Sequence, residues 1–140
     1  MNIVKKEKLD KTLGNRIGEI FSEQAREKDV KYLYGNHYFV AYENDETVGI
    51  LTLQLIFNEM YIDELVIDPN HRGKGVGTAL LAEAENFFKD YDFEYITVNT
   101  YAFQAPEFYE KLGFTLEFTR KSKENPKLNR YYYIKPFKKK

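Results

Sequence analysis

The chain has 140 residues, with 21 Lys and Arg against 22 Asp and Glu, a formal charge of -1 and 43% hydrophobic residues. A chain of this length can bury roughly two-thirds of its unfolded surface, so a single domain over 1–140 is expected. The absence of cysteine excludes a disulfide framework and thiol catalysis, and with two histidines, His37 and His71, there is little to build a zinc site from.

The basic start (Lys5, Lys6, Lys8) and basic end (Lys135, Lys138, Lys139, Lys140) read as solvated tails rather than one wide basic face, so no nucleic-acid partner is expected. An apolar run long enough to span a bilayer is missing, as is an apolar stretch behind N-terminal basic residues. This predicts a soluble, unexported, cytoplasmic protein with no membrane partner.

In chain order, Asp10 can cap a helix running to about Lys28, with Leu13, Ile17, Ile20, Phe21 and Ala25 at near-helical spacing, expected as a first core helix. Residues Tyr38 to Tyr42 and Val48 to Leu55 are β-rich runs separated by Glu43-Asn44-Asp45-Glu46, which has turn chemistry and predicts a hairpin. A short Phe57-Asn58 turn leads to a third strand, Glu59 to Ile67, completing an antiparallel meander. The chain then enters Asp68-Pro69-Asn70-His71 and the glycine loop Arg72-Gly73-Lys74-Gly75-Val76-Gly77-Thr78.

The residues after that loop are good helix formers, predicting a helix from Gly75 to about Lys89 with Val76, Leu80, Ala84, Phe87 and Phe88 on one face. Tyr95 to Val98 is expected as a strand parallel to Glu59–Ile67, and two parallel strands joined by a crossover can splay. A short helix ending at Gly113 follows, and Asn129 to Phe137 is expected to close the sheet after a loop at Ser122 to Lys127. An aromatic strand near the sheet edge would offer a surface for a homodimer.

The glycine loop reads as a phosphate cradle. Glycines at alternate positions permit tight turning and close approach, and free N–H groups at the positive end of a helix favour an anion. Spacing excludes a Walker loop, because Lys74 sits between glycines, and a dinucleotide fingerprint, because Gly75-x-Gly77 is followed by Leu80. A nucleotide-dependent phosphotransferase therefore lacks its lysine and metal carboxylates.

The form Arg72-x-x-Gly75-x-Gly77 resembles the loop of the GNAT superfamily of acyl-CoA-dependent N-acyltransferases. A second segment, Phe108-Tyr109-x-x-Leu112-Gly113-Phe114, resembles that family's short helix, and the preceding Phe103-Gln104-Ala105-Pro106 resembles a branch of small bacterial members. The resemblance covers roughly residues 37 to 137. It implies an α/β fold with a mixed, mostly antiparallel central sheet flanked by helices, and acetyl-CoA as co-substrate. Its pyrophosphate would be held by Arg72, Gly73, Lys74, Gly75, Val76, Gly77 and Thr78, and its pantetheine arm would lie against Leu65, Val66 and Ile67. Tyr109 matches the position whose phenol protonates the departing thiolate in that family.

Acyl transfer to an amine needs a neutral amine, a polarised carbonyl and a protonated leaving thiol. Asp63 and Glu64 are the candidate bases. Strand alternation sends them to opposite faces unless a bulge intervenes. Backbone N–H groups around Val66 are placed to stabilise the developing oxyanion. The expected activity is transfer of an acetyl group from acetyl-CoA directly to a primary amine, of a small cationic molecule given the acidic residues at the cleft. The alternatives are a protein N-terminus or lysine as acceptor, or a non-catalytic acyl-CoA sensor.

Overall fold

The computed structural model describes residues 1–137; Lys138, Lys139 and Lys140 of the basic end lie outside the described residues. The chain falls into two compact units, Met1–Leu33 and Tyr34–Lys140.

In the first unit α1 spans Lys11–Glu27, and Asp10 caps it as expected, its carboxylate accepting from the Leu13 N–H at 2.9 Å. Ala25 is buried, but Leu13, Ile17, Ile20 and Phe21 remain 38 to 51% exposed. The expected core role is therefore not met within this unit. A lone amphipathic helix has no second layer of its own against which to bury a stripe.

The second unit is built on a six-stranded sheet of order β1-β2-β3-β4-β6-β5. Strands β1 (Tyr34–Glu43) and β2 (Glu46–Ile56) form the expected hairpin, with Asn44 and Asp45 both at positive φ, 51° and 65°. A primed two-residue turn needs that geometry, and Asn and Asp tolerate it. Strand β3 (Glu59–Ile67) completes the antiparallel meander, and α2 (Val76–Phe87) carries the chain across to β4 (Tyr95–Tyr101).

Strands β3 and β4 are parallel and pair from Glu59↔Tyr95 to Ile62↔Val98. Pairing stops there although β3 continues to Ile67 and β4 to Tyr101, so the two strands part as the crossover reading anticipated. After α3 (Glu107–Lys111) come β5 (Thr115–Arg120) and β6 (Arg130–Pro136).

The aromatic strand β6 lies near an edge as expected, one strand in: it sits between β4 and the edge strand β5 and pairs with both. Its backbone groups are used on both sides, so it has no free edge to offer a second copy.

Leu51, Leu53, Leu55, Met60, Ile62, Ile96, Val98 and Tyr133 point to one face of the sheet and are buried together with Leu80, Leu81 and Ala84 of α2. Phe88, fully buried just past α2, makes edge contacts with His37 at 4.9 Å, Phe87 at 4.9 Å and Tyr91 at 5.2 Å. Each such side chain contributes about 1.5–3 kcal/mol on burial, which makes this layer the rigid support of the site. The opposite, outer face carries Thr52, Gln54, Tyr61, Thr97, Asn99, Phe118 and Tyr132.

Candidate active site

The cradle is assembled at the end of β3. Asp68 opens it: its carboxylate accepts from the Asn70 N–H at 3.1 Å and contacts His71 Nδ1 at 2.7 Å, which stiffens the turn. The His71 hydrogen bond is the main reason the Asp68 carboxyl titrates below its ordinary value. Arg72 then folds back, its Nε donating to the Ile67 carbonyl at 3.4 Å.

Gly73 and Gly75 follow at φ +72° and +82°, and an added Cβ at either would project into open space. Positive φ at these two positions curls successive N–H groups to one side. Among the described residues no hydrogen bond uses the N–H groups of Gly73, Lys74, Gly75, Val76 or Gly77. Unpaired donors at the start of a twelve-residue helix form an anion-binding concavity, so the chain's own geometry fits a pyrophosphate.

Gly77 serves a different purpose from the other two. A Cβ there would meet the Phe108 ring at 2.7 Å. This glycine therefore lets α3 close on α2 rather than letting a ligand approach.

That contact matters because Phe108 precedes Tyr109. Helix α3 ends in a Schellman motif, with Phe114 N–H donating to the Tyr109 carbonyl at 3.0 Å, Gly113 N–H to the Glu110 carbonyl at 3.1 Å, and Gly113 at φ +94°. The motif and the aromatic neighbours Phe108, Phe114 and Tyr133, with ring centroids 5.4 to 6.1 Å away, fix the Tyr109 ring. Tyr109 is 7% exposed, and burial, with a smaller contribution from nearby Tyr61, pushes its phenol up to about 12. The group is therefore fully protonated at neutral pH.

The two carboxylates are not on opposite faces. Thr52 pairs with Glu64 and Leu53 with Ile62, so β3 carries one extra residue, Asp63, at a bulge. Gln54 donates to Asp63 at 2.8 Å and Thr52 donates to Glu64 at 3.4 Å; Thr52 and Gln54 alternate onto the same face, so both acids reach the outer face. The bulge lies where β3 and β4 part. Beyond it, Leu65 and Ile67 pair with Leu51 and Gly49 and turn inward, while Val66 is 56% exposed.

Residue reasoning on the sequence did not single out Tyr61, Asn99 or Arg130. Arg130 Nε donates to Asn99 Oδ1 at 2.7 Å, and Asn99 Nδ2 donates to the Tyr61 hydroxyl at 2.8 Å. This chain crosses β6, β4 and β3 on the outer face and leaves the Tyr61 O–H proton free to donate onward. The available signal was the alternation of Ile96, Val98 and Thr100, which are buried, with Thr97, Asn99 and Tyr101, which are not.

A strand-to-helix anion cradle beside two diverging parallel strands, with a buried phenol on the next helix, is an arrangement that can hold a linear, diphosphate-bearing co-substrate. The sequence profile of the Acetyltransferase (GNAT) family matches residues 11–114, and the chain belongs to this family.

Over 76 residues it is 36% identical to a blasticidin-S acetyltransferase of Streptomyces morookaense; the match covers 53% of this chain, which spans about half (55%) of that relative. Its fold is similar to that of an acetyltransferase from Bacillus cereus ATCC 14579, with a TM-score of 0.71 and 23% identity over 95% of this chain and 97% of that one. It is also similar to a Bacillus anthracis protein assigned as a streptothricin acetyltransferase and solved with acetyl coenzyme A, with a TM-score of 0.66 and 23% identity over 79% and 68%.

Proposed function

We propose that this family member is an acetyltransferase that takes acetyl-CoA as co-substrate and moves the acetyl group directly to a primary amine of a small molecule that carries positive charge, within one domain. The observation that carries this reading is the β3 bulge, which turns Asp63 and Glu64 together onto the outer face where β3 and β4 part. The blasticidin-S acetyltransferase relative supports a small-molecule acceptor.

Acetyl-CoA supplies the acetyl group in activated form as a thioester. In this reading the N–H groups of Gly73 to Gly77, with Arg72 and Lys74 beside them, hold its diphosphate, and the part of β3 from Leu65 to Ile67, released from β4, pairs with its amide-bearing arm. Glu64 accepts the proton of the attacking amine, directly or through water, and Asp63 adds negative charge that draws the cationic acceptor in. The Val66 N–H donates to the carbonyl oxygen as charge grows there. Tyr109 donates its phenolic hydrogen to the departing sulfur. A phenol near 12 is a poor acid towards a thiolate in water, and the transfer works because a thiolate formed at the same dry site has its own proton affinity raised.

The test is a mass-spectrometric screen of amines with acetyl-CoA, followed by Glu64→Gln and Asp63→Asn on the best acceptor. Glu64→Gln is expected to lower kcat by about 100-fold, in the range of general base catalysis, with Asp63→Asn acting mainly on KM. Loss of kcat on Asp63→Asn alone would transfer the base role to Asp63. No acetylated product across mono-, di- and polyamines would refute a small-molecule acceptor.

A further inference from the structure

Arg120 of β5 and Arg130 of β6 stand directly opposite one another in the antiparallel ladder, and both point to the outer face. Like charges in that position repel. Among the described residues neither guanidinium forms an ion pair with a carboxylate. Instead both lie against one ring, Arg120 5.3 Å and Arg130 5.4 Å from the centroid of Tyr132, and Arg130 also lies 5.4 Å from Tyr101.

The shelf is held flat. Phe118 stacks on Tyr132 at 4.4 Å with the planes 6° apart, and Asn99 fixes Arg130 by accepting from its Nε. Phe118 is 49% exposed and Arg120 is open to solvent. Two cations side by side without a counter-charge among the described residues, one of them fixed by Asn99, form half of an ion-binding arrangement.

We propose that Arg120 and Arg130 bind an anionic group, a carboxylate or a phosphate, carried by the acceptor itself. The proposal rests on the amine-acetyltransferase reading above and adds to it that the acceptor is dipolar. The outer face is polarised to match: Asp63 and Glu64 lie on β3, the arginines lie on β5 and β6, and the Tyr61–Asn99 pair lies between them. At the usual strand spacing β6 lies roughly 10 Å from β3, and farther where β3 and β4 part, so the amine and the anion of one small molecule can reach both ends. The aromatic shelf adds a stacking surface for a flat portion of the acceptor.

Two measurements test this. In the first, inorganic phosphate and acetate are titrated separately into coenzyme A-saturated protein and binding is followed by the nuclear magnetic resonance shifts of the arginine Nε–H groups. Saturable shifts at Arg120 and Arg130 are expected, weakened by about tenfold or more in Arg120→Gln, as for loss of one charge-assisted hydrogen bond. Equal shifts in the variant overturn the proposal. The glycine cradle is the same in both proteins, so this comparison holds even if coenzyme A does not bind.

In the second, amine pairs that differ only in the anion, lysine with cadaverine and phosphoethanolamine with ethanolamine, are compared by kcat/KM. The anionic member is expected to win by about tenfold, the advantage lying in KM and vanishing in Arg120→Gln. Which pair responds separates carboxylate from phosphate. Acetylation without preference for the anionic member refutes the dipolar acceptor and leaves the transferase reading standing. Failure to acetylate any amine, with phosphate still titrating at the arginines, refutes the small-molecule acceptor, and the dipolar acceptor with it, and leaves the anion site alone standing.

Discussion

Tyr109 shows how one buried hydroxyl is given a single protonation state. Its phenol, pushed up to about 12 by burial, keeps its proton throughout the physiological range. Tyr109→Phe is expected to lower kcat by about 100-fold with little change in the affinity for acetyl-CoA, checked by thiol release. The same shift has a stability consequence. A group whose folded-state value is raised contributes fully below its unfolded value of 10.0, and the contribution is lost as pH rises through about 12. Its size is on the order of 3 kcal/mol. The phenylalanine variant should therefore melt with less alkaline sensitivity between pH 10 and 12 than the wild type, read by thermal scans and tyrosinate absorbance.

Gly75 is the residue-scale counterpart on the coenzyme side. At φ +82° any side chain is strained, and a branched one most of all. Gly75→Val is expected to cost roughly 1–2 kcal/mol of stability while abolishing coenzyme A binding, because its side chain enters the space in front of the unpaired donors. Calorimetry that found normal uptake would place the diphosphate elsewhere.

Among elements, the α2–α3 contact links the two halves of the site. Gly77→Ala would drive a methyl into the Phe108 ring, costing about 1–3 kcal/mol and displacing the helix that carries Tyr109. The expected signature is a lower kcat with coenzyme A affinity largely kept. Nearby, Lys135 Nζ lies 3.6 Å from Glu85 Oε1 and over the Phe114 ring, and Glu85 Oε2 is buried with no hydrogen-bond partner among the described residues. Lys135→Met strands that carboxylate and is expected to cost about 3–5 kcal/mol, measured by urea denaturation.

These elements also show what a sequence can and cannot reveal. The meander, the cradle helix and the crossover to β4 follow from alternation, turn residues and helix formers, which are local. The sequence points Gly77 towards ligand approach, whereas a glycine's reason depends on which residue lies across from it, and Phe108 is 31 positions away. Alternation failed at Asp63 and Glu64 because a bulge is fixed by pairing with β2, and the one-residue phase slip from Met60 and Ile62 to Leu65 and Ile67 is its only local trace. Arg120 and Arg130 face each other only once β5 and β6 are in register.

For the molecule as a whole, the sheet depends on an interior strand that comes late in the chain. β6 fills the slot between β4 and β5, with Tyr133 buried at its centre. Ile134→Pro would remove a ladder donor from a strand paired on both flanks, and is expected to unfold β4 and β5 together while sparing the β1–β3 meander, seen as loss of amide exchange protection in one half of the sheet. The same arrangement governs birth of the protein on the ribosome. The meander can zip up as soon as it emerges, whereas β4 waits with an open flank until the last strand threads in beside it. In that interval a nascent chain is most exposed to sticky encounters with its neighbours, and to the chaperones that prevent them.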